Sequence, residues 1–295
     1  MNLDYVYAVD HFVMPGETLS ADQQKVVCGG KGLNQSVALA RAGAEIYHAG
    51  CVGQGGEMLL ALLRESGVNT DYVRTVDEIQ GNAMIQVNKE GQNCILLFGG
   101  SNQCITKEQI RETLAGFSEG DYLVLQNEVN DVAEMVEQAY QKGMKVVLNP
   151  SPYNDKLSGV DYSKITWLLV NEIEAMQISG SSDPEKAWEI FHQKYPKLSV
   201  VLTLGKDGSI CYSKDQVIRQ EAMKVEAVDT TAAGDTFTGY FLASVMEGRE
   251  LAACMERATI ASGISVTREG AAPSIPSSDE VYRAILQEVM KYVLE

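Results

Sequence analysis

The stretch Val228-Asp229-Thr230-Thr231-Ala232-Ala233-Gly234-Asp235-Thr236-Phe237 leads into an apolar segment that ends near Glu247. The pattern predicts a helix whose first turn carries only small residues, Ala232, Ala233 and Gly234. The first N–H groups of a helix have no partner inside it, and the helix dipole makes that end positive. Because no bulky side chain stands in the way, a phosphoryl group could approach these N–H groups. The stretch therefore predicts an anion-binding helix start.

Asp235, in the first turn of this helix, has two interpretations. It could stabilise the helix dipole, as acidic residues at that position commonly do. It could instead accept the proton of a hydroxyl that attacks a bound phosphate. An isolated Gly-Asp at a helix start favours the first interpretation. Here two acids, Asp229 and Asp235, flank a run of small residues, which favours the second.

Glycines also precede a second predicted helix, in Gly29-Gly30-Lys31-Gly32-Leu33-Asn34-Gln35-Ser36-Val37-Ala38. Alone, such a turn indicates only tight packing between a strand and a helix. It does not match the phosphate loop G-x-x-x-x-G-K-[ST]. The glycine segment indicates a functional site only in combination with the distant segment that contains Asp229 and Asp235.

Outward from these segments, short β-branched or aromatic runs alternate with helical patterns, with strands predicted at 45–50, 122–126, 145–148, 167–170 and 200–204. This alternation is typical of an α/β fold with a doubly wound, mostly parallel sheet flanked by helices. Residues 3–27 and 84–98 indicate strands without intervening helices, and we expect them to pair as a small β-sheet lid. No linker or repeat divides the chain, so we predict a single α/β domain over 1–295.

Composition excludes several classes of partner. The chain has 295 residues, 45% of them hydrophobic, which is enough for a large core. Its 24 basic and 40 acidic side chains give a net charge of -16, so we expect no nucleic-acid and no membrane partner. The six cysteines show no zinc-ligand spacing, and no apolar run is long enough to span a bilayer. We therefore expect reduced thiols and a cytoplasmic location.

The two signature segments resemble, in the same order, those of the ribokinase family of sugar kinases, also called the PfkB family. The resemblance extends over essentially the whole chain. It implies a ribokinase-like fold and transfer of a phosphoryl group from ATP to the primary hydroxyl of a small sugar, with D-ribose preferred. It also implies that Asp235 is the base, and that the N–H groups of Ala232, Ala233 and Gly234 stabilise the transferred charge.

Asn2-Leu3-Asp4 resembles the family's sugar-binding Asn-x-Asp, and Glu128 stands where the family has a further sugar-contacting glutamate. Without the resemblance, Glu128 is equally well explained as a solvated loop acid. The sugar-binding residues that the resemblance implies are Asn2, Asp4, Gly29, Gly30, Lys31, Asn34, Glu128 and Asp235.

Two further segments resemble the family's nucleotide site. Asn171-Glu172-Ile173-Glu174 resembles its N-x-x-E motif, which implies that Glu174 holds Mg²⁺ through water. Thr203-Leu204-Gly205-Lys206-Asp207-Gly208 resembles the stretch around the ATP phosphates, although it also fits a hairpin turn. An activating K⁺ is implied at Asp229, Thr231, Ser265, Arg268, Gly270 and Ser274.

Two features depart from the family. Its members form a complete strand before Asn-x-Asp, so we expect part of a central strand to be absent and its neighbours unpaired, unless the true start lies upstream. The segment Gly53-Gln54-Gly55-Gly56-Glu57 also has glycine where the family has an acid near position 55.

Several alternatives stay open. The chain could be a kinase of the same family that acts on fructose, a deoxysugar or a nucleoside. It could instead be a catalytically silent sugar-binding or nucleotide-binding regulator. A dinucleotide-dependent oxidoreductase is less favoured, because no G-x-G-x-x-G follows the first strand. An exposed lid edge would also favour a homodimer through the lid sheet, as in many family members.

Overall fold

Strands and helices alternate along the described residues, 1–214 and 216–294 of this computed structural model. The strands are β1 (Asn2–Ala8), β2 (Gln23–Gly29), β3 (Tyr47–Gln54), β4 (Asn69–Ile79), β5 (Asn82–Val87), β6 (Asn93–Phe98), β7 (Tyr122–Gln126), β8 (Lys145–Asn149), β9 (Trp167–Asn171), β10 (Ser199–Thr203), β11 (Ser209–Tyr212) and β12 (Val217–Gln220). The helices are α1 (Lys31–Arg41), α2 (Glu57–Glu65), α3 (Lys107–Ala115), α4 (Val132–Gln141), α5 (Glu172–Ser179), α6 (Pro184–Lys194), α7 (Ala233–Met246), α8 (Leu251–Ser265) and α9 (Ser278–Leu294). None of these helices is long and apolar enough to cross a bilayer.

The largest sheet has six strands in the order β12-β11-β10-β9-β8-β7. Its four strands from β7 to β10 run parallel, whereas β11 and β12 are antiparallel additions at one edge. Val146, Val147 and Leu148 of β8 are fully buried. Val147 joins a core shared with α1, α7 and α8, and its two neighbours join a core on the opposite face. The predicted α/β class, with helices on both faces of a mostly parallel sheet, is confirmed.

The strands predicted within 3–27 and 84–98 pair in a separate four-stranded sheet, in the order β2-β1-β5-β6. β1 lies antiparallel to β2 and parallel to β5, and β6 forms one edge. We call this the small sheet. Because β2 ends at Gly29 and α1 begins at Lys31, the small sheet lies next to the glycine-rich segment.

β3 and β4 form a third, two-stranded sheet that does not join the six-stranded one. The sequence predicted one mostly parallel sheet containing both 45–50 and 122–126. In the described part of the chain, no strand connects β3 to β7. Strands β3 and β7 are thus edges of two separate sheets in the residues that the structure describes.

Close packing of α1 on α7 brings the two signature segments together. A Cβ at Gly239 of α7 would lie 2.4 Å from Cβ of Ala38 in α1, so the helices can approach this closely only because residue 239 has no side chain. α7 ends at Met246, next to the predicted end at Glu247. The contact aligns the first turn of α1 with the first turn of α7.

Candidate active site

Asp235 lies in the first turn of α7 and is almost fully buried. Asn34 Nδ2 donates to its Oδ2 over 3.0 Å, and Gln35 Nε2 donates to its Oδ1 over 2.9 Å. Gln126 Nε2 in turn donates to Gln35 Oε1 over 2.6 Å. Each carboxylate oxygen therefore has a fixed amide donor and retains lone pairs that could accept a further proton.

The backbone before Asp235 forms the predicted helix start, with one difference. Ala232 caps the helix in a left-handed conformation, with φ of 60°. The N–H of Ala233 already donates to the carbonyl of Thr230 over 3.2 Å. Within the described residues, the amides of Ala232 and Gly234 have no acceptor, and a Cβ at Gly234 would meet no atom within 4 Å. Two of the three predicted amides are thus available in this conformation.

The predicted sugar residues come together beside this helix start. Glu128 Oε2 accepts from the backbone N–H of Lys31 over 2.7 Å, and its Oε1 accepts from Asn2 Nδ2 over 3.4 Å. A Cβ at Gly29 would lie 2.0 Å from Asp4 Oδ2, so glycine at this position leaves the Asp4 carboxyl room beside the backbone. Asn34 Oδ1 is buried and has no partner among the described residues. These unfilled acceptors suit a ligand with several hydroxyl groups.

Burial and neighbouring charges shift the pKa values of two groups in this pocket, Asp4 and Lys31. Burial, followed by the charge of Glu128, raises the pKa of Asp4 to about 7, while the amino terminus offsets part of the rise. Burial alone would lower the pKa of Lys31, but the carboxylates of Asp235, Glu128 and Glu174 together raise it. The three surrounding carboxylates therefore keep Lys31 in its charged form.

The two predicted nucleotide segments meet at the carboxyl ends of the adjacent strands β9 and β10. Asn171 ends β9, and its direct register partner in β10 is Thr203. Asn171 Oδ1 accepts from the N–H of Glu174 over 2.9 Å, and Glu174 Oε2 accepts from the N–H of Asn171 over 3.1 Å, which forms a capping box. Residues 204–208 form the turn between β10 and β11, so the hairpin interpretation of this stretch also describes its backbone.

The residues predicted for a monovalent cation share one loop region. Both oxygens of Asp229 are hydrogen-bonded: Oδ1 accepts from Thr231 N at 2.8 Å and from Thr231 Oγ1 at 2.6 Å, and Oδ2 accepts from Gly270 N at 2.9 Å. Burial opposes ionisation, but these bonds outweigh it and lower the pKa of Asp229. Ser265 accepts from the backbone N–H of Arg268, and the Arg268 side chain binds Glu280. Ser274 Oγ donates to Ala271 O over 2.7 Å.

Among the described residues, no group of three His, Cys, Asp or Glu side chains is placed to hold a metal ion directly. The oxygen atoms at Glu174 and around Asp229 nevertheless match the ligand type that hard cations prefer.

The sequence did not single out Gln35, Gln126 or Asn102 as functional. Gln35 is buried, and it lies one helical turn before the buried Leu39. A glutamine among the buried residues of a helix was the signal that could have identified it. Asn102 Nδ2 donates to Asn2 Oδ1 over 2.7 Å and fixes the Asn2 side chain, a contact that no local pattern predicts.

The chain is similar to known proteins over almost all of its length. The family model for pfkB family carbohydrate kinase matches residues 1–278. A ribokinase from Haemophilus influenzae is 35% identical over 95% of this chain and 94% of its own. The crystal structure of ribokinase from Cryptococcus neoformans in complex with ADP superposes with a TM-score of 0.84 at 32% identity, covering 96% of each chain. Ribokinase from Arabidopsis thaliana, complexed with ribose and ATP, gives 0.83 at 27% identity over 96% of this chain and 95% of that one.

Proposed function

Because this chain belongs to the pfkB family of carbohydrate kinases, we propose that it transfers the γ-phosphoryl group of ATP to the primary hydroxyl of D-ribose. The observation that carries the proposal is the fixed Asp235 carboxylate beside the open helix start at Gly234. The products are D-ribose 5-phosphate and ADP. The ribose and ATP bound by the Arabidopsis relative support this choice of substrates.

In the proposed step, the primary hydroxyl oxygen of the sugar forms a bond to the γ-phosphorus while the bond to the ADP oxygen breaks. Asp235 accepts the hydroxyl proton. The amides of Ala232 and Gly234 donate to the transferring group, and each such donor is worth roughly 2.7 to 4 kcal/mol at comparable oxyanion sites. The positive end of α7 adds to this stabilisation. Positioning and electrostatics together supply most of the catalysis.

The proposed sugar pocket explains selectivity for a small polyol. Asp4 accepts from two adjacent hydroxyls, and Asn2 and Glu128 are held in place by Asn102 and by the backbone of Lys31. Lys31 and Asn34 contact the remaining hydroxyls. Gly29 and Gly30 let the sugar lie against the backbone.

On the nucleotide side, Glu174 would hold Mg²⁺ through water, and the ion would neutralise charge on the ATP phosphates. Residues 203–208 would enclose the phosphates and ribose of ATP. The loop of Asp229, Thr231, Ser265, Arg268, Gly270 and Ser274 would hold K⁺, which would fix the start of α7. Asp229 favours a cation there because its hydrogen bonds keep it ionised.

We also propose that two copies pair through the small sheet. β6 forms an edge of that sheet and is exposed along its whole length, with Leu96 70% exposed. Exposed apolar edge strands are uncommon on monomers and favour pairing. Light scattering that finds a dimer, and a monomer in Leu96→Glu, would support this arrangement. A cytoplasmic location suits an ATP-consuming enzyme with six unpaired cysteines.

The function is tested by coupled ADP release with ATP, Mg²⁺ and K⁺, using D-ribose, deoxyribose, fructose and a nucleoside. We expect the highest kcat/KM with D-ribose and a phosphate ester on its primary carbon by ³¹P NMR. A higher kcat/KM for another of these substrates would identify that compound, and not D-ribose, as the preferred substrate of this family member. Ligand binding without ADP release, in folded protein, would indicate the silent regulator.

A further inference from the structure

The side chain of Asn2 is held at both ends inside the molecule. Its Nδ2 donates to Glu128 Oε1 over 3.4 Å, and its Oδ1 accepts from Asn102 Nδ2 over 2.7 Å. Asn2 is 4% exposed and Asn102 is 3% exposed, so both bonds are shielded from bulk water. Together the two bonds fix which end of the Asn2 amide is directed toward Glu128.

The direction of these bonds follows from groups that cannot exchange their roles. An ionised carboxylate only accepts hydrogen bonds, and Glu128 Oε2 already accepts from the backbone N–H of Lys31 over 2.7 Å. At the other end, the backbone nitrogen of Met1 donates to Asn102 Oδ1 over 3.2 Å. Asn102 therefore turns its Nδ2 toward Asn2, and Asn2 turns its Nδ2 toward Glu128. We call this run of bonds, from Met1 through Asn102 and Asn2 to Glu128, the donor chain.

The backbone around Asn102 holds this side chain in place. Asn102 lies in the short 3₁₀ helix Gly100–Gln103, which follows β6. A Cβ at Gly81 would lie 2.3 Å from Asn102 Nδ2, so glycine at this position leaves room for the amide. The neighbouring Gln103 Nε2 donates to the backbone carbonyl of Glu128 over 3.0 Å. This short helix thus fixes two of the proposed sugar-binding residues at once.

The chemistry of a sugar hydroxyl makes the direction of the donor chain important. A hydroxyl has one hydrogen to donate and two lone pairs that accept. In the proposed pocket the carboxylates of Asp4 and Glu128 take that hydrogen, so the lone pairs need a donor. Asn2 Nδ2 has a second hydrogen, which has no acceptor among the described residues. A reversed Asn2 amide would present a carbonyl there, which has no hydrogen to donate.

We propose that Asn102 is a positioning residue for sugar selectivity, because it holds the N–H end of Asn2 toward the sugar. The inference rests on the proposed function and deepens it. The amides that donate to Asp235 belong to Asn34 and Gln35, outside the donor chain. A change at Asn102 therefore acts on sugar affinity and on the choice among sugars, and leaves kcat nearly unchanged.

The first test is Asn102→Asp, which keeps the shape of the side chain but can only accept. Asn2 must then turn its Nδ2 toward residue 102, which brings its carbonyl against the Glu128 carboxylate. At pH 8 we expect the KM for D-ribose to rise at least about tenfold, with kcat within about threefold of the parent's. The preference for D-ribose over one of its 2-deoxy and 3-deoxy analogues should fall at least about fivefold.

The matched control is Asn154→Asp. Asn154 is exposed and caps a short helix by accepting from the backbone N–H of Lys156, and aspartate caps a helix equally well. This variant adds the same charge outside the donor chain. It should keep the parent's KM for D-ribose and its preference among the three sugars.

A second variant separates positioning from a merely structural contact. In Asn102→Asp/Glu128→Gln, the glutamine Oε1 can accept from the N–H of Lys31 while its Nε2 donates to the reversed Asn2. Every group of the chain is satisfied again, so the melting temperature should lie within about 2 °C of that of Glu128→Gln alone. The KM for D-ribose should stay about tenfold above that of Glu128→Gln, because Asn2 still presents its carbonyl to the sugar.

A readout that needs no turnover completes the test. In protein labelled with ¹⁵N-asparagine, the side-chain amide signals of Asn102 are assigned by their absence from Asn102→Asp, and they should exchange slowly with water. Calorimetry measures the Kd for D-ribose in every variant. If Asn102→Asp matches Asn154→Asp in ribose affinity and selectivity, the proposal is overturned. Recovery of both melting temperature and ribose affinity in the double variant would also overturn it. Ribose affinities that follow the expected pattern in a protein without turnover would support the role of Asn102 and contradict the kinase activity alone.

Discussion

Asp235 and Asp4 are carboxylates of one site, but they differ in the hydrogen-bond donors that surround them. Asp235 is almost fully buried, yet each of its oxygens accepts a hydrogen bond from an amide side chain. Asp4 is less buried, but within the described residues no group donates to it, and its pKa rises to about 7. Donors built into the fold hold one acid in place, whereas the other lacks donors until a ligand supplies them. The difference supports the proposal that Asp235 acts in the reaction and Asp4 in substrate binding.

The largest effect is expected from Asp235→Asn. Removing the proton acceptor should lower kcat by at least about 100-fold, the lower end of general-base contributions. ATP binding and the melting temperature should change little, because the amide keeps the size of the carboxylate. Steady-state kinetics and ATP titration calorimetry check this, with Asp22→Asn on the exposed surface as the control. Turnover near the parent's would remove Asp235 from the role of base.

Asp4→Asn should act mainly on the sugar. Hydrogen bonds to a charged group are worth about 1.5 to 3 kcal/mol, so the KM for D-ribose should rise roughly 10- to 100-fold. The KM for ATP should stay within about twofold of the parent's, because Asp4 does not lie in the predicted nucleotide segments. Initial rates at varied ribose and varied ATP separate the two. An equal rise in both values would contradict the division of roles.

Gln35→Met sharpens the comparison by removing one donor from Asp235 while keeping the side-chain length. We expect kcat to fall about tenfold, which corresponds to about 1.4 kcal/mol, close to the lower end of the range for a hydrogen bond to a charged group. The KM for ribose should change little if Gln35 acts by positioning the base. Gln141→Met, on an exposed helix surface, controls for the exchange itself. A rise in KM with unchanged kcat would place Gln35 in the sugar pocket instead.

The last expected effect is a pH dependence of stability in the sugar-free protein. An ordinary Asp in the unfolded chain has a pKa near 3.9, whereas folded Asp4 titrates at about 7. The folded state therefore holds a proton that the unfolded state releases, so the free energy of unfolding falls as pH rises from about 4 to 7. The loss is at most about 4 kcal/mol at 1.36 kcal/mol per pKa unit.

Urea denaturation of the parent and Asp4→Asn at several pH values measures this difference. The two proteins should be about equally stable at pH 4, and Asp4→Asn should be the more stable at pH 8. Taking the difference between them cancels groups that titrate oppositely, such as Glu280, whose pKa its hydrogen bonds lower to about 2. Parallel pH profiles would show that Asp4 is not perturbed.

Much of the fold could be predicted from local patterns. The runs at 145–148 and 167–170 are largely buried parallel strands, and the run at 122–126 is a partly buried one; their apolar composition alone predicts strands here. The start of α7 is equally local, since small residues followed by an apolar segment specify it. The prediction of one continuous sheet was wrong at β3, which pairs with β4 in a sheet of its own. A local pattern predicts a strand but not its partners, because pairing depends on the tertiary structure.

The site was less completely predictable. Its motif residues could be named because each motif is contiguous, and the structure brings those of the sugar pocket together. The Gln126–Gln35–Asp235 chain could not be named, because its members come from three distant segments. The hydrogen bond from the Ala233 N–H to the Thr230 carbonyl could not be predicted either, because it depends on the left-handed conformation of Ala232.

The sequence by itself determined the chemical groups of this protein: a carboxylate and small residues at a helix start, glycines before another helix, and strands apolar enough to be buried. These follow from short-range periodicity and backbone sterics, which nearby residues specify. Only the tertiary structure decided which amides hold Asp235, why Asp4 has a raised pKa, and where the sheet is open. Those properties arise from contacts between distant segments and from the exclusion of water, and no single segment of the chain specifies either of them.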